Sequence, residues 1–193
     1  MTYNSHKSEN LVRLLKSTEK KSVALGLELF NNNPNKEVEK YLEKQCYLYN
    51  KLFDSNKDKM GVSHLLIIND PNIVITNRQL TELPPEIGNL NHVTKLSVDD
   101  SQLIKLPPEI GNLKNLKTIS FDNNNIEELP PEIGNLTNLE ELWLGSNKLT
   151  KLPPEIGNLK NLTGLILNNN RIKELPPEIG NLKNLRELSI ENN

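Results

Sequence analysis

Apolar residues fall into two different rhythms along this chain. Over residues 8–53 they advance by threes and fours. Leu11, Leu14 and Leu15 mark one face of a short helix, and Val23, Leu25, Leu27, Leu29 and Phe30 suggest a second. Asn33-Pro34 then offers an N-cap with proline at the first helical position. Val38, Tyr41, Leu42, Gln45, Cys46, Tyr49, Leu52 and Phe53 continue at the spacing of an amphipathic helix. The polar run Asp54 to Lys59, closed by Gly61, reads as a linker or exposed loop. Leu65–Ile68 and Ile73–Ile75 follow as short strand candidates.

From Val93 the rhythm changes. Leu116-x-x-Ile119-x-Phe121-x-x-Asn124-x-Ile126 recurs as Leu139, Leu142, Leu144, Asn147, Leu149, and again as Leu162, Leu165, Leu167, Asn170, Ile172. Behind each copy stands Leu-Pro-Pro-Glu-Ile-Gly-Asn-Leu, beginning at Leu83, Leu106, Leu129, Leu152 and Leu175, a step of 23 residues. A period of this length marks a solenoid, in which each unit buries its apolar side against its neighbours. Ser101 stands where the pattern expects asparagine. Upstream, Ile73, Ile75 and Leu80 keep the register while Arg78 replaces that asparagine, so the first unit is degenerate. The chain stops at Asn193, 19 residues into its last unit, without a C-terminal cap. Trimming of a longer chain, or self-association through the uncapped edge, would account for that.

Each repeated residue has a physical task. In Leu139-x-x-Leu142-x-Leu144 the strand alternates, so Leu142 and Leu144 face the core while Glu141 and Trp143 face out. Asn124, Asn147, Asn170 and Asn193 sit where the chain leaves its strand. Their amides can donate to and accept from backbone groups the turn leaves unpaired, forming a ladder through the stack. In Leu152-Pro153-Pro154-Glu155-Ile156-Gly157 the prolines end the strand pattern and suit the start of a short helical turn. Glu155 lies near the positive end of that turn, and Gly157 is expected to close it in a left-handed conformation. Leu152, Ile156 and Leu159 should point inward.

These residues resemble the leucine-rich repeat pattern L-x-x-L-x-L-x-x-N-x-L. The continuation L-x-x-L-P-x-x-I-G-x-L is similar to the intracellular Ras-suppressor-like group, which is also common among bacterial repeat proteins. The resemblance covers about residues 73–193. It implies an α/β solenoid, a right-handed superhelix with a concave parallel sheet and short helical turns on its convex side. The expected organisation is a helical region over 1–62, acting as a cap, and a solenoid over 63–193. The resemblance further implies a non-enzymatic protein-interaction module that grips a protein or peptide on its concave face. The alternative it leaves open is the recognition region of a larger signalling enzyme, a GTPase or a ubiquitin ligase, whose catalytic part lies outside this chain.

Composition adds limits. Aromatic residues are only 4% of the 193, so the core must be mainly Leu and Ile. The formal net charge of −2 gives no global reason to expect nucleic acid or an anionic membrane. The charge is uneven: residues 1–62 carry 11 Lys and Arg against 8 Asp and Glu, a net of +3, leaving −5 on the rest. Cys46 is the sole cysteine and no apolar run is long enough to span a bilayer, so a cytoplasmic location is expected. His6, His64 and His92 are scattered, with no metal-ligand spacing. Gly111 to Thr118 superficially echoes a phosphate-binding loop, but Leu116 replaces its second glycine and belongs to the core pattern. The sequons at Asn135 and Asn161 are by-products of the repeat. No catalytic residues, cofactor or metal are predicted.

Candidate chemistry therefore lies in the outward strand residues. Their central column reads Val74, Ser97, Ser120, Trp143, Ile166, Ser189, in which Trp143 and Ile166 form an apolar island. Glu141 and Glu187 flank it on one side, with Gly164 between them. Asp99 and Asp122 flank it on the other, beside Thr76 and Gly145. With Glu140, these residues predict a basic partner that carries an apolar anchor.

Overall fold

The computed structural model describes residues 2–32, 34–53, 59, 61–75 and 79–193, in two compact units that divide between Asp70 and Pro71. Among its described residues the first unit contains four helices, α1 (Thr2–Leu15), α2 (Lys20–Asn32), α3 (Lys36–Phe53) and α4 (Val62–Asn69). Asn33 and most of the 54–59 run lie outside the described residues. The cap of α3 is Asn35, whose Oδ1 accepts from the N–H groups of Glu37 at 2.9 Å and Val38 at 3.3 Å. Pro34 therefore precedes the cap and does not open the helix.

The run Leu65–Ile68, expected as a strand, is helical in α4. A short, wholly apolar run carries no periodicity of its own, so its surroundings decide. A helix lets Leu65 and Ile68, three residues apart, bury together while Ile67 stays exposed. Asn69 then ties its end down, its Nδ2 donating to the carbonyls of Leu15 at 2.6 Å and Ser17 at 3.1 Å. Leu15, Val23, Val38, Leu48 and Leu52 complete this core, and Cys46 is buried beside them. Leu25 and Leu29, by contrast, remain exposed on α2.

The second unit is an α/β solenoid. Six parallel strands lie in chain order: β1 (Asn72–Val74), β2 (Lys95–Ser97), β3 (Thr118–Ser120), β4 (Glu141–Trp143), β5 (Gly164–Ile166) and β6 (Glu187–Ser189). Ile73, Leu96, Ile119, Leu142, Leu165 and Leu188 pair in register along the sheet, one per repeat. On the return side each repeat makes a 3-10 turn: Pro85–Asn89, Pro108–Asn112, Pro131–Asn135, Pro154–Asn158 and Pro177–Asn181. The first proline of each pair is extended, with φ −69° and ψ 147° at Pro153, and the second opens the turn where its missing N–H costs nothing. Between sheet and turns, the repeated Leu and Ile positions are nearly free of solvent except in the last repeat, where Leu188 and Ile190 are exposed. Leu116 is among the buried ones, which removes the phosphate-loop echo.

The repeat glycine closes nothing in a left-handed conformation, because no described glycine has a positive φ. It is required by contact between turns. A Cβ on Gly111 would stand 2.5 Å from the carbonyl oxygen of Glu132, and one on Gly157 would stand 2.6 Å from that of Glu178. Left-handed backbone occurs instead one residue before the ladder position, at Asp100, Asn123, Ser146, Asn169 and Asn192, with φ between 53° and 57°. Asp and Asn tolerate this region better than other side-chain-bearing residues, which explains four of the five identities.

Candidate partner-binding face

The ladder asparagines hold the outgoing edge of the sheet in place. Asn147 Oδ1 accepts from the Ile126 N–H at 3.0 Å, while its Nδ2 donates to the carbonyls of Phe121 at 2.8 Å, Gly145 at 3.1 Å and Leu144 at 3.2 Å. Asn124 and Asn170 repeat the arrangement one unit to either side. Asn193 does so at the exposed last repeat, accepting from Ile172 N–H at 3.0 Å. A second ladder escaped the sequence reading. Asn115, Asn138, Asn161 and Asn184 each donate from Nδ2 to a carbonyl of the preceding repeat, at 2.6 to 2.8 Å. Its signal was the second asparagine of the Gly-Asn-Leu-x-Asn-Leu segment, which recurs in four of the five repeats, His92 standing in the first.

On the strand face, Trp143 and Ile166 are direct register partners across β4 and β5. Equivalent positions of neighbouring strands lie about 4.8 Å apart, so the two side chains form one apolar patch. Trp143 keeps 40% of its surface exposed. In the same column Ser97 and Ser120 are buried, and Val74 at its start is exposed. Thr76 lies outside the described residues.

The acidic residues divide into two kinds. Asp99 is occupied by the scaffold. Its carboxylate accepts from Ser97 Oγ and Ser120 Oγ, each at 2.7 Å, and from the Asp122 N–H at 2.9 Å. Asp122 accepts in turn from the Gly145 N–H at 2.6 Å. Burial raises the Asp122 carboxyl above its usual range, the Gly145 bond opposes that, and the charges of Asp99 and Asp100 add to it. Glu140 is held by Lys117 in a surface ion pair of 2.8 Å. Glu141 and Glu187 have no such partner among the described residues, and they stand in register on either side of Gly164. The sequence placed all seven residues together; the structure leaves Trp143, Ile166, Glu141 and Glu187 as the group with side chains free to engage something else.

No group of acidic, histidine or cysteine side chains among the described residues could hold a metal ion, and no described helix is long and apolar enough to cross a membrane. A family model described as a leucine-rich repeat region matches residues 72–148, and one described as a leucine rich repeat matches residues 137–193. A leucine-rich repeat protein of Leptospira interrogans is similar in structure, with a TM-score of 0.51 and 36% identity over 67% of this chain and 38% of its own. The leucine-rich repeat ectodomain of a receptor kinase from Arabidopsis thaliana gives a TM-score of 0.56 and 30% identity over 63% of this chain and 69% of its own. An internalin of Listeria monocytogenes gives a TM-score of 0.54 and 25% identity over 63% of this chain and 35% of its own. The chain thus spans little more than a third of the Leptospira and Listeria proteins. No curated protein matches it.

Proposed function

The chain is a leucine-rich repeat protein, a family whose domains generally mediate protein–protein interaction, and from that premise we propose that it is a non-enzymatic module binding a protein or peptide on the concave strand face. The observation that carries this reading is the pairing of Trp143 with Ile166. An exposed tryptophan in a mainly polar column is costly to leave in water, and it pairs with a second apolar side chain on the adjacent strand. Aromatic anchors of this kind dominate interfaces, and the free carboxylates beside it favour a partner bringing Lys or Arg. A reducing, cytoplasmic setting belongs to the same proposal, since the sequence holds a single cysteine and builds no disulfide framework.

Truncation of a central aromatic anchor costs about 2 kcal/mol of binding. Trp143→Ala should therefore weaken a bound partner more than tenfold while leaving the melting midpoint nearly unchanged, because the side chain is not part of the core. Glu187→Lys should mainly alter the salt dependence of association. Titration calorimetry on both variants decides the matter, and equal affinity of Trp143→Ala and wild type removes the concave face as the site. A second reading, the recognition region of a larger signalling enzyme, is favoured by the Arabidopsis match, whose repeats are the ectodomain of a receptor kinase. The reading frame beyond the Asn193 codon tests it.

A further inference from the structure

β6 stands last in the sheet order, beside β5, and its outer side keeps the hydrogen-bonding groups that each earlier strand spends on the next repeat. The N–H groups of Phe121, Leu144 and Leu167 donate to the carbonyls of Trp143, Ile166 and Ser189 in turn, at 2.7 to 2.9 Å. Ile190 is the next member of that column, and no described residue accepts from its N–H. The carbonyls of Lys117, Glu140 and Thr163 each accept two N–H groups from the following repeat, and Arg186 is the next member of that series. Glu187 N–H and Ser189 C=O bond back toward the fifth repeat, so the N–H and C=O of Leu188 between them face outward. The edge therefore offers acceptors at Arg186 and Leu188 and donors at Leu188 and Ile190.

Apolar surface follows the same edge. Leu188 and Ile190 are 41% and 43% exposed, whereas Leu165 and Leu167, at the same positions one repeat earlier, are fully buried. A cavity of about 130 Å³ opens beside them, lined by Ile172, Lys173, Glu174, Leu175, Ile190 and Asn193. A strand edge with open backbone groups and apolar flanks is a template for another chain, and β6 carries neither a proline nor an inward-pointing charge to blunt it. The pattern also says which chain fits, because it is self-complementary. A two-fold axis through Leu188 sets two copies of β6 antiparallel. Each Leu188 then exchanges both its bonds with its counterpart, and each Ile190 N–H meets the Arg186 carbonyl of the other copy. The same axis puts Glu187 across from Ser189, so no like charges stand directly opposed. It also brings Leu188 and Ile190 of both copies onto one side of the joined sheet.

We propose that two copies of this chain pair through their β6 edges, antiparallel about a two-fold axis, into one continuous sheet that covers Leu188 and Ile190. Sedimentation equilibrium of the 193-residue chain at rising concentration tests this, with melting curves to verify that each variant folds. Wild type should pass from monomer to dimer and stop there, since an isologous contact closes on itself. Leu188→Lys should stay monomeric at concentrations where wild type is dimeric. Ile190→Pro removes a donor that the solenoid leaves unused, at an edge where proline is tolerated. It should weaken dimerisation about tenfold or more, the scale of one hydrogen bond lost on each side of the axis. Should either variant fail to fold, Ile190→Lys makes the same test. Trp143→Ala should dimerise as wild type does, which separates this edge from the concave face. A wild type that remains monomeric throughout overturns the proposal, as does growth beyond the dimer, which would mean head-to-tail stacking. A dimer untouched by the Leu188 and Ile190 variants, or one lost in Trp143→Ala, overturns it equally.

Discussion

At the scale of single residues, the repeat's polar and small positions carry as much of the fold as its leucines. Asn147 accepts one backbone hydrogen bond and donates to three carbonyls while only 7% exposed. Asn147→Ala would leave those groups unpaired in the interior, at a cost of about 1–3 kcal/mol. Replacement of the adjacent Lys148 side chain should stay within about 0.5 kcal/mol. Denaturant melts of the two variants should therefore differ clearly in midpoint. The repeat glycine gives an internal control. Gly157→Ala must push a methyl to 2.6 Å from the Glu178 carbonyl oxygen, whereas Gly180→Ala meets nothing within 4 Å. Gly157→Ala should cost about 1–3 kcal/mol as overpacking, and Gly180→Ala should be neutral or slightly stabilising through the unfolded chain. Equal midpoints for those two would show that the turns shift apart freely.

At the scale of the strands, the acidic edge of the sheet is in tension with itself. Asp122 is pushed toward its neutral form by burial first, then by Asp99 and Asp100, against the Gly145 hydrogen bond that favours its charge. With its folded pKa above the unfolded value, the group contributes stability that is present in acid below the unfolded pKa. That contribution is lost as pH rises through the folded pKa. Asp122→Asn keeps an oxygen for the Gly145 N–H and removes the half-buried charge. It should raise the denaturation midpoint at neutral pH, and the gain should shrink as pH falls into the ordinary carboxylate range. A variant less stable than wild type at neutral pH would mean that the Gly145 bond outweighs burial. Asn168 already fills the equivalent position two repeats on, so the strand geometry accommodates the amide.

At the scale of the whole molecule, the first layer of the solenoid raises the question of cover. β1 stands first in the sheet order, beside β2, and an apolar first layer left uncovered invites aggregation. That argument carries the proposal that the helical region acts as a cap. Removal of residues 1–70, the whole first compact unit, should then yield an aggregating or poorly folded product in size-exclusion chromatography. Recovery of a monodisperse, cooperatively melting fragment 71–193 would show instead that the helical unit is independent.

The order of the strands, the leucine core, the asparagine ladder and the Trp143–Ile166 patch were legible in the amino-acid order because they follow from period alone. A repeat of 23 residues places each position beside its own copies, and alternation assigns its face. What remained hidden depends on atoms that periodicity does not describe. The role of Gly157 is set by the carbonyl of Glu178, and that of Asp99 by hydroxyls and an N–H on two neighbouring strands. The conformation of Leu65–Ile68 is set by what Leu65 and Ile68 bury against, since an apolar run of four suits helix and strand alike. In this protein the sequence determined which residues meet. The tertiary structure decided which of them are consumed by that meeting, because a side chain's free valences are known only once its neighbours in the next turn are in place.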